Sequence, residues 1–271
     1  MTRNSPSLCS LLLLSCDKYR DLWNNCTVLY RKYWPDCPYQ AFLASDTKPP
    51  EYDGFRPVGA EQTDLSWSDM TRKILDQIDT DYILLMLDDF FLTGPVDTKH
   101  VEFLFSRLVA LNGGYLRLVP HSRWMEKVPV HPEIGEHQKG LPYRTSLQAA
   151  FWKRSTFMSL LVPGESPWQF ELYGGLRSDK MKDPFFAAYS RPIPYIDVLE
   201  RGKWLPRGIK LCRNEGFTID LSFRPVISSR DKIRRIWSNV IGSLIQRIPN
   251  GLRRKIRRYK HREYYLRNGL S

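Results

Sequence analysis

Two adjacent carboxylates, Asp88 and Asp89, follow directly on the apolar run Tyr82–Leu87. A hydrophobic strand that ends in acid places carboxylates at the carboxyl edge of a parallel sheet, where α/β proteins bind their ligands. Such a pair suits a hard divalent cation, Mn²⁺ or Mg²⁺, and a cation held there can neutralise a diphosphate. With no ligand in mind, the same pair reads as two solvated acids at a strand end. Asp17 repeats the pattern, since it follows another apolar run, Leu8–Leu14, after Ser15 and Cys16. Glu165 and Glu171 form a second group, flanking Pro167-Trp168 in a segment of carboxylates and aromatics from Pro163 to Gly175. The histidines offer less, because His131 and His137 sit in a Pro/Gly loop at no standard zinc spacing, and His121 only follows a strand. The chain has no G-x-G-x-x-G after its first strand and no G-x-x-x-x-G-K-[ST], which argues against dinucleotide and P-loop chemistry.

These residues need a scaffold, and the hydrophobic pattern supplies one. Cys9–Ser15 reads as a strand buried on both faces. Asp17–Tyr33 reads as a helix, with Leu22, Trp23, Cys26, Leu29, Tyr30 and Tyr33 at three- and four-residue spacing before Pro35. Tyr39–Ala44 is a second strand, followed by a Pro-rich loop from Asp46 to Pro57. Ser66 or Ser68 caps a helix over Asp69–Ile78 ahead of the strand Tyr82–Leu87. This alternation predicts a parallel α/β sheet in the first half of the chain. The second half continues with a helix over Val96–Leu111 ended by Asn112-Gly113-Gly114 and a strand over Tyr115–Val119. Beyond these come a strand over Ser146–Trp152, a helix over Lys153–Leu161, a loop over Pro163–Gly175, and short strands at Ile193–Asp197 and Ile209–Cys212.

The 271 residues are 42% hydrophobic and 13% aromatic, enough for a substantial core, and the formal charge is +12. That charge is concentrated at one end: residues 228–271 hold 13 Lys/Arg against Asp231 and Glu263, so residues 1–227 are close to neutral. This predicts a near-neutral domain over 1–227 and a basic extension over 228–271, rather than a protein that coats nucleic acid. Ile233, Ile236, Trp237, Val240, Ile241, Leu244, Ile245 and Ile248 share one helical stripe, edged with arginine and ended by Pro249-Asn250-Gly251. A stripe of this kind suits an in-plane helix on an anionic membrane surface, and equally an ordinary helix packed on the domain. The five cysteines include no CxxC pair and point to a reducing compartment, and no apolar run reaches spanning length.

Three stretches together resemble bacterial glycosyltransferases of the GT-A fold from surface-polysaccharide clusters: Leu11–Trp23 with Asp17 and Asp21, Ser66–Ile78, and Leu87-Asp88-Asp89-Phe90. The likeness continues through Ser146–Lys153 and Pro163–Glu171, covering about residues 8–175. It departs from the family pattern in the adjacent Asp88-Asp89, where an Asp-x-Asp triplet is usual. The resemblance implies a GT-A-like, Rossmann-like α/β fold with a mixed, mainly parallel sheet, and transfer of a sugar from a nucleotide-diphosphate sugar. It implies Asp17 and Asp46 near the base or ribose, and Arg72 and Lys73 near the pyrophosphate. Asp88 and Asp89 would meet the ribose and, through a divalent metal, the diphosphate. Inverting transfer needs a carboxylate to take the acceptor proton. The resemblance favours Glu171 for this, then Glu165, then Asp179. It further implies a lipid-linked glycan acceptor in capsule or lipopolysaccharide assembly. The basic tail 228–271 would then hold a cytoplasmic enzyme at the inner face of the membrane, and with no motif for groove or base recognition in the body no nucleic-acid partner is expected. A membrane-associated scaffold and a nucleotidyltransferase are the other classes compatible with these residues.

Overall fold

A computed structural model of the chain describes residues 8–120, 125–140 and 143–228, with Gly251, Leu252, Lys255, Ile256, Tyr259 and Arg262 beyond them. The stripe over 233–248 and His121 lie outside the described residues. The chain divides into two compact units, 1–196 and 197–271. The expected division at residue 227 therefore falls inside the second unit.

The first unit is built on a nine-stranded mixed sheet. Its first half consists of β1 (Cys9–Leu14), α1 (Arg20–Tyr33), β2 (Gln40–Ser45), β3 (Phe55–Gly59), α2 (Trp67–Leu75) and β4 (Tyr82–Leu87). A short 3₁₀ turn, Asp17–Tyr19, precedes α1. The four strands pair in parallel in the order β3-β2-β1-β4, and every residue of β1 is buried, as a strand covered on both faces must be. β3 corrects the expected loop through Pro57. Proline is tolerated there because β3 is an edge strand of the sheet. Ser66 caps α2, its hydroxyl accepting from Asp69 N at 3.2 Å, so the helix begins at Trp67.

The second half is less regular. It runs through β5 (Phe90–Leu92), α3 (Thr98–Ala110), β6 (Tyr115–Arg117), β7 (Met125–Lys127), β8 (Ile134–His137), β9 (Ala150–Lys153), α4 (Arg154–Leu160) and β10 (Phe185–Ala188). β9 runs antiparallel between β4 and β6, while β10 returns parallel to β6. β7 and β8 lie in the segment expected as a histidine-bearing loop and extend the sheet at its edge by antiparallel pairing. After α3 the left-handed residue is Asn112 (φ 47°), not a glycine. Gly113 serves close packing instead, since a Cβ there would collide with Leu108 and Phe186. The largest correction lies in Pro163–Gly175: from Pro167 to Lys180 the chain is helical, with a π turn over Phe170–Gly174. Trp152, Phe157, Phe170, Tyr115 and Phe185 pack together beneath it.

In the second unit, Leu199–Glu200 and Lys203–Trp204 form a hairpin whose two-residue turn, Arg201-Gly202, has positive φ at both positions. The expected strand over Ile209–Cys212 is part of the helix Pro206–Asn214, with proline in its first turn. No described helix is long and apolar enough to cross a membrane.

Candidate functional site

Parallel register brings the first acids together. β1 and β4 pair Leu14 with Leu87, which makes Ser15 and Asp88 neighbours where the strands end. Ser15 Oγ donates to Asp88 Oδ2 and accepts from Trp23 Nε1 of α1 at 2.6 Å. β1 and β2 pair Leu14 with Ala44, and just beyond them Asp17 N donates to Asp46 Oδ2 at 2.9 Å. Ser45 Oγ and Thr47 Oγ1 donate to the two carboxylate oxygens of Asp17 at 2.6 and 2.8 Å. Burial raises the Asp17 carboxyl, but these hydrogen bonds, with the nearby Arg20 charge, outweigh it and hold the group below the usual carboxylate range. Burial also pushes the Cys16 thiol up to about 12, and the charges of Asp88 and Asp46 add to the effect. The carboxyl edge of β1, β2 and β4 is thus an acidic shelf.

Glu171 reaches the same edge by another route. The π turn widens the helix at Glu171, an irregularity frequent at functional sites. Its Oε1 accepts from Leu147 N at 2.7 Å and Ser146 Oγ at 3.0 Å, while Oε2 makes no hydrogen bond among the described residues. The segment that holds it, 146–149, leads into β9 beside the end of β4. In that segment Gln148 Oε1 accepts from Tyr195 OH at 2.7 Å, and Ala149 N donates to the same hydroxyl at 3.3 Å. Tyr195 in turn stacks on Phe90, the residue after Asp89, with ring centroids 4.6 Å apart. One short segment therefore ties Glu171 to the strand end bearing the acid pair.

The remaining expected site residues divide differently. Glu165 is 6% exposed and is gripped at both oxygens by Arg177, at 2.7 and 2.6 Å, while Arg177 also donates to Leu160 O. Arg72 donates to the carbonyls of Met158 and Leu161, and Lys73 to Gln62 Oε1. Both lie in the last turn of α2, which leads away from the carboxyl edge toward the start of β4. Asp179 belongs to the 3₁₀ turn Ser178–Lys180, and His137 is buried in β8. Trp168 is 69% exposed beside the Glu171 helix.

For a divalent metal the donor set is poor. Asp88 is 5% exposed and already accepts from Ser15, leaving half-buried Asp89 as the more accessible carboxylate. Among the described residues no group of three or more Asp, Glu, His or Cys converges to hold an ion. The residues present do not fit a metal held by the protein alone.

Two contributors escaped the sequence reading. Tyr195 sits in an expected strand with nothing to mark its hydroxyl, and Arg117 ends β6 at the same sheet edge. A basic residue in the middle of the otherwise apolar run Tyr115–Val119 is the available signal for Arg117.

No family model matches the chain, and no curated protein sequence matches it. Among solved structures, the chain is similar to S. aureus TarS 1–349 in complex with UDP-GlcNAc, at 11% identity over 89% of this chain and 82% of that one, with a TM-score of 0.44. It is also similar to a cytidylyltransferase from Leptospira borgpetersenii at 11% identity over 78% and 98% of the two chains, TM-score 0.39. In another TarS 1–349 structure, at 9% identity and TM-score 0.43, the match covers 69% of this chain and spans 59% of that one. The fold itself, a mixed and mostly parallel α/β sheet flanked by helices, rests on this chain's own strand pairing.

Proposed function

We propose that this chain is a glycosyltransferase that takes a nucleotide-diphosphate sugar as donor, with Glu171 as the base. The observation that carries this reading is the Glu171 carboxylate, pinned through Oε1 by Ser146 and Leu147 with Oε2 left open, on the segment that also anchors the acidic strand end. In this reading the nucleoside lies along Asp17 and Asp46, and Asp89 meets its ribose side. Oε2 of Glu171 takes the proton of an acceptor hydroxyl as that oxygen attacks the anomeric carbon. The new glycosidic bond forms as the bond to the diphosphate oxygen breaks, and the nucleoside diphosphate leaves with the electron pair. Attack from the face opposite the leaving group makes the reaction inverting.

Glu165, locked to Arg177, acts in this reading as a brace for the loop leading to the Glu171 helix. Trp168 offers an exposed ring for an acceptor sugar. The basic stretch 228–271 suits a lipid-linked glycan acceptor at the cytoplasmic membrane surface, in capsule or lipopolysaccharide assembly. Sedimentation with phosphatidylglycerol vesicles, full chain against a chain ending at 227, tests that part; equal sedimentation removes it.

The site is tested by thermal shift of the protein with UDP, GDP, CMP, dTDP, ATP and CTP, each with and without Mn²⁺ or Mg²⁺, because a ligand that binds only the native state raises its stability. Stabilisation by one nucleoside phosphate of the donor kind, reduced in Asp89→Ala, is the expected result. Stabilisation by CTP or ATP alone would favour nucleotidyl transfer. A flat panel would favour a scaffold.

A further inference from the structure

Arg117 closes β6, at the edge where the acids of β1, β2 and β4 gather. Its Cα pairs with Ala150 of β9, and Ala150 pairs in turn with Leu85 of β4, so the three residues form one row across the sheet. Adjacent strands lie about 4.8 Å apart, which puts Arg117 roughly 10 Å from the strand that ends in Asp88 and Asp89. Ala150 stands between them with only a methyl group. Side chains two apart on a strand share a face. Arg117 therefore faces the same side as Tyr115, whose hydroxyl donates to Ser146 O in the segment that holds Glu171. Burial pushes the Tyr115 phenol up, the charge of Arg117 opposes this and that of Glu171 adds to it, so both charges lie close to that ring.

The Arg117 side chain has no partner in keeping with its charge. Its Nε is buried and has no hydrogen-bond partner, and it forms no ion pair among the described residues. Arg144 offers a contrast: it is more deeply buried, yet it donates to the carbonyls of His137 and Ser178 and lies over the Phe185 ring. Buried polar groups are nearly always satisfied, and a guanidinium binds oxyanions through a planar fork of donors. A diphosphate brought to a shelf lined by Asp17, Asp46, Asp88 and Asp89 is repelled unless a cation accompanies it. The donor set there does not fit a metal held by the protein alone.

We infer that Arg117 is an anion-binding residue that meets the diphosphate of the nucleotide donor and stabilises it as it leaves. This rests on the reading of the edge as a nucleotide-sugar site. The same guanidinium chemistry would also accept a carboxylate on the donor sugar, so the test separates the two sources.

The experiment is calorimetric titration of wild type, Arg117→Gln and Arg117→Lys. The ligands are the nucleoside diphosphate that binds best among UDP, GDP, CDP and dTDP, its parent nucleoside, and its glucuronic acid conjugate. The inference predicts a loss of about tenfold or more in diphosphate affinity in Arg117→Gln, partial recovery in Arg117→Lys, and nucleoside affinity within twofold of wild type. A merely structural role would lower nucleoside and diphosphate affinity together and reduce the unliganded melting temperature. Equal diphosphate affinity in wild type and Arg117→Gln overturns the inference alone. A loss confined to the glucuronic acid conjugate overturns the diphosphate assignment in favour of a sugar carboxylate. Failure of wild type to bind any of the diphosphates overturns both the inference and the site reading beneath it.

Discussion

The two halves of the nine-stranded sheet position their polar residues by different means. From β1 to β4 the strands are parallel, and strand register sets where the acids stand: Ser15 meets Asp88 because the two follow directly on the paired Leu14 and Leu87, and Asp17 and Asp46 come together two to three residues past the Leu14–Ala44 pair. From β6 to β10 the strands are short and mixed in direction, and side chains gripping backbone set the contacts. Glu171 is held by Leu147 N, Arg144 reaches two carbonyls, and Arg177 clasps Glu165 and Leu160 O together. Register tolerates the loss of a single side chain, because the ladder hydrogen bonds remain. A clasp does not, because removing one partner strands the other in a buried place.

This contrast can be broken or sharpened by substitution. The largest expected effect is on chemistry: Glu171→Gln should lower sugar transfer by about 10²–10⁴-fold, the usual contribution of a general base, while the amide still accepts from Leu147 N. Transfer assays alongside melting curves check this, and full activity in a folded Glu171→Gln protein would remove Glu171 from the mechanism. Next comes Arg177→Ala, which leaves buried Glu165 without its partner and should cost about 3–5 kcal/mol in denaturant unfolding, as for other broken buried pairs. A loss below about 1 kcal/mol would place that pair with ordinary surface bridges. Ser66→Ala removes the α2 cap and its bond from Gly164 N, and should cost about 1 kcal/mol with no change in nucleotide affinity.

The smallest effect expected is that of pH. The Asp17 carboxyl is held below its ordinary value, so its contribution to stability is present above the unfolded-state pKa of about 3.9 and is lost as pH falls through the lower folded value. Asp17→Asn should therefore flatten the acid limb of a stability-versus-pH curve below about pH 4, lying below wild type in the neutral region and converging on it as pH falls through the folded value. A curve that superimposes on wild type across the acid limb would show that the hydrogen bonds from Ser45 and Thr47 do not favour the ionised carboxyl.

The scaffold was readable where periodicity and burial agree. β1, α1 and β4 lie where the apolar spacing put them, because a strand covered on both faces must be continuously apolar and a helix with one buried face must repeat every three to four residues. Reading failed where neighbours overrule local pattern. Pro57 looked like a loop residue until β3 proved to be an edge strand. Ile209–Cys212 looked like a strand, but Ile209 and Cys212 are three apart in a helix opened by Pro206.

Composition and spacing along the chain account for the apolar strands, the carboxylates at the ends of two of them, and the concentration of positive charge toward the C-terminus. Tertiary structure alone decided which carboxylates are already engaged. Glu165 and Glu171 are equivalent as sequence, each beside an aromatic turn, yet one is sealed against Arg177 and the other keeps an open oxygen. It also decided that Arg117 closes a strand at the acidic edge. The reason is that pairing is non-local: whether a charge is neutralised depends on which distant backbone or side chain the fold carries into hydrogen-bonding range, and spacing along the chain does not encode that.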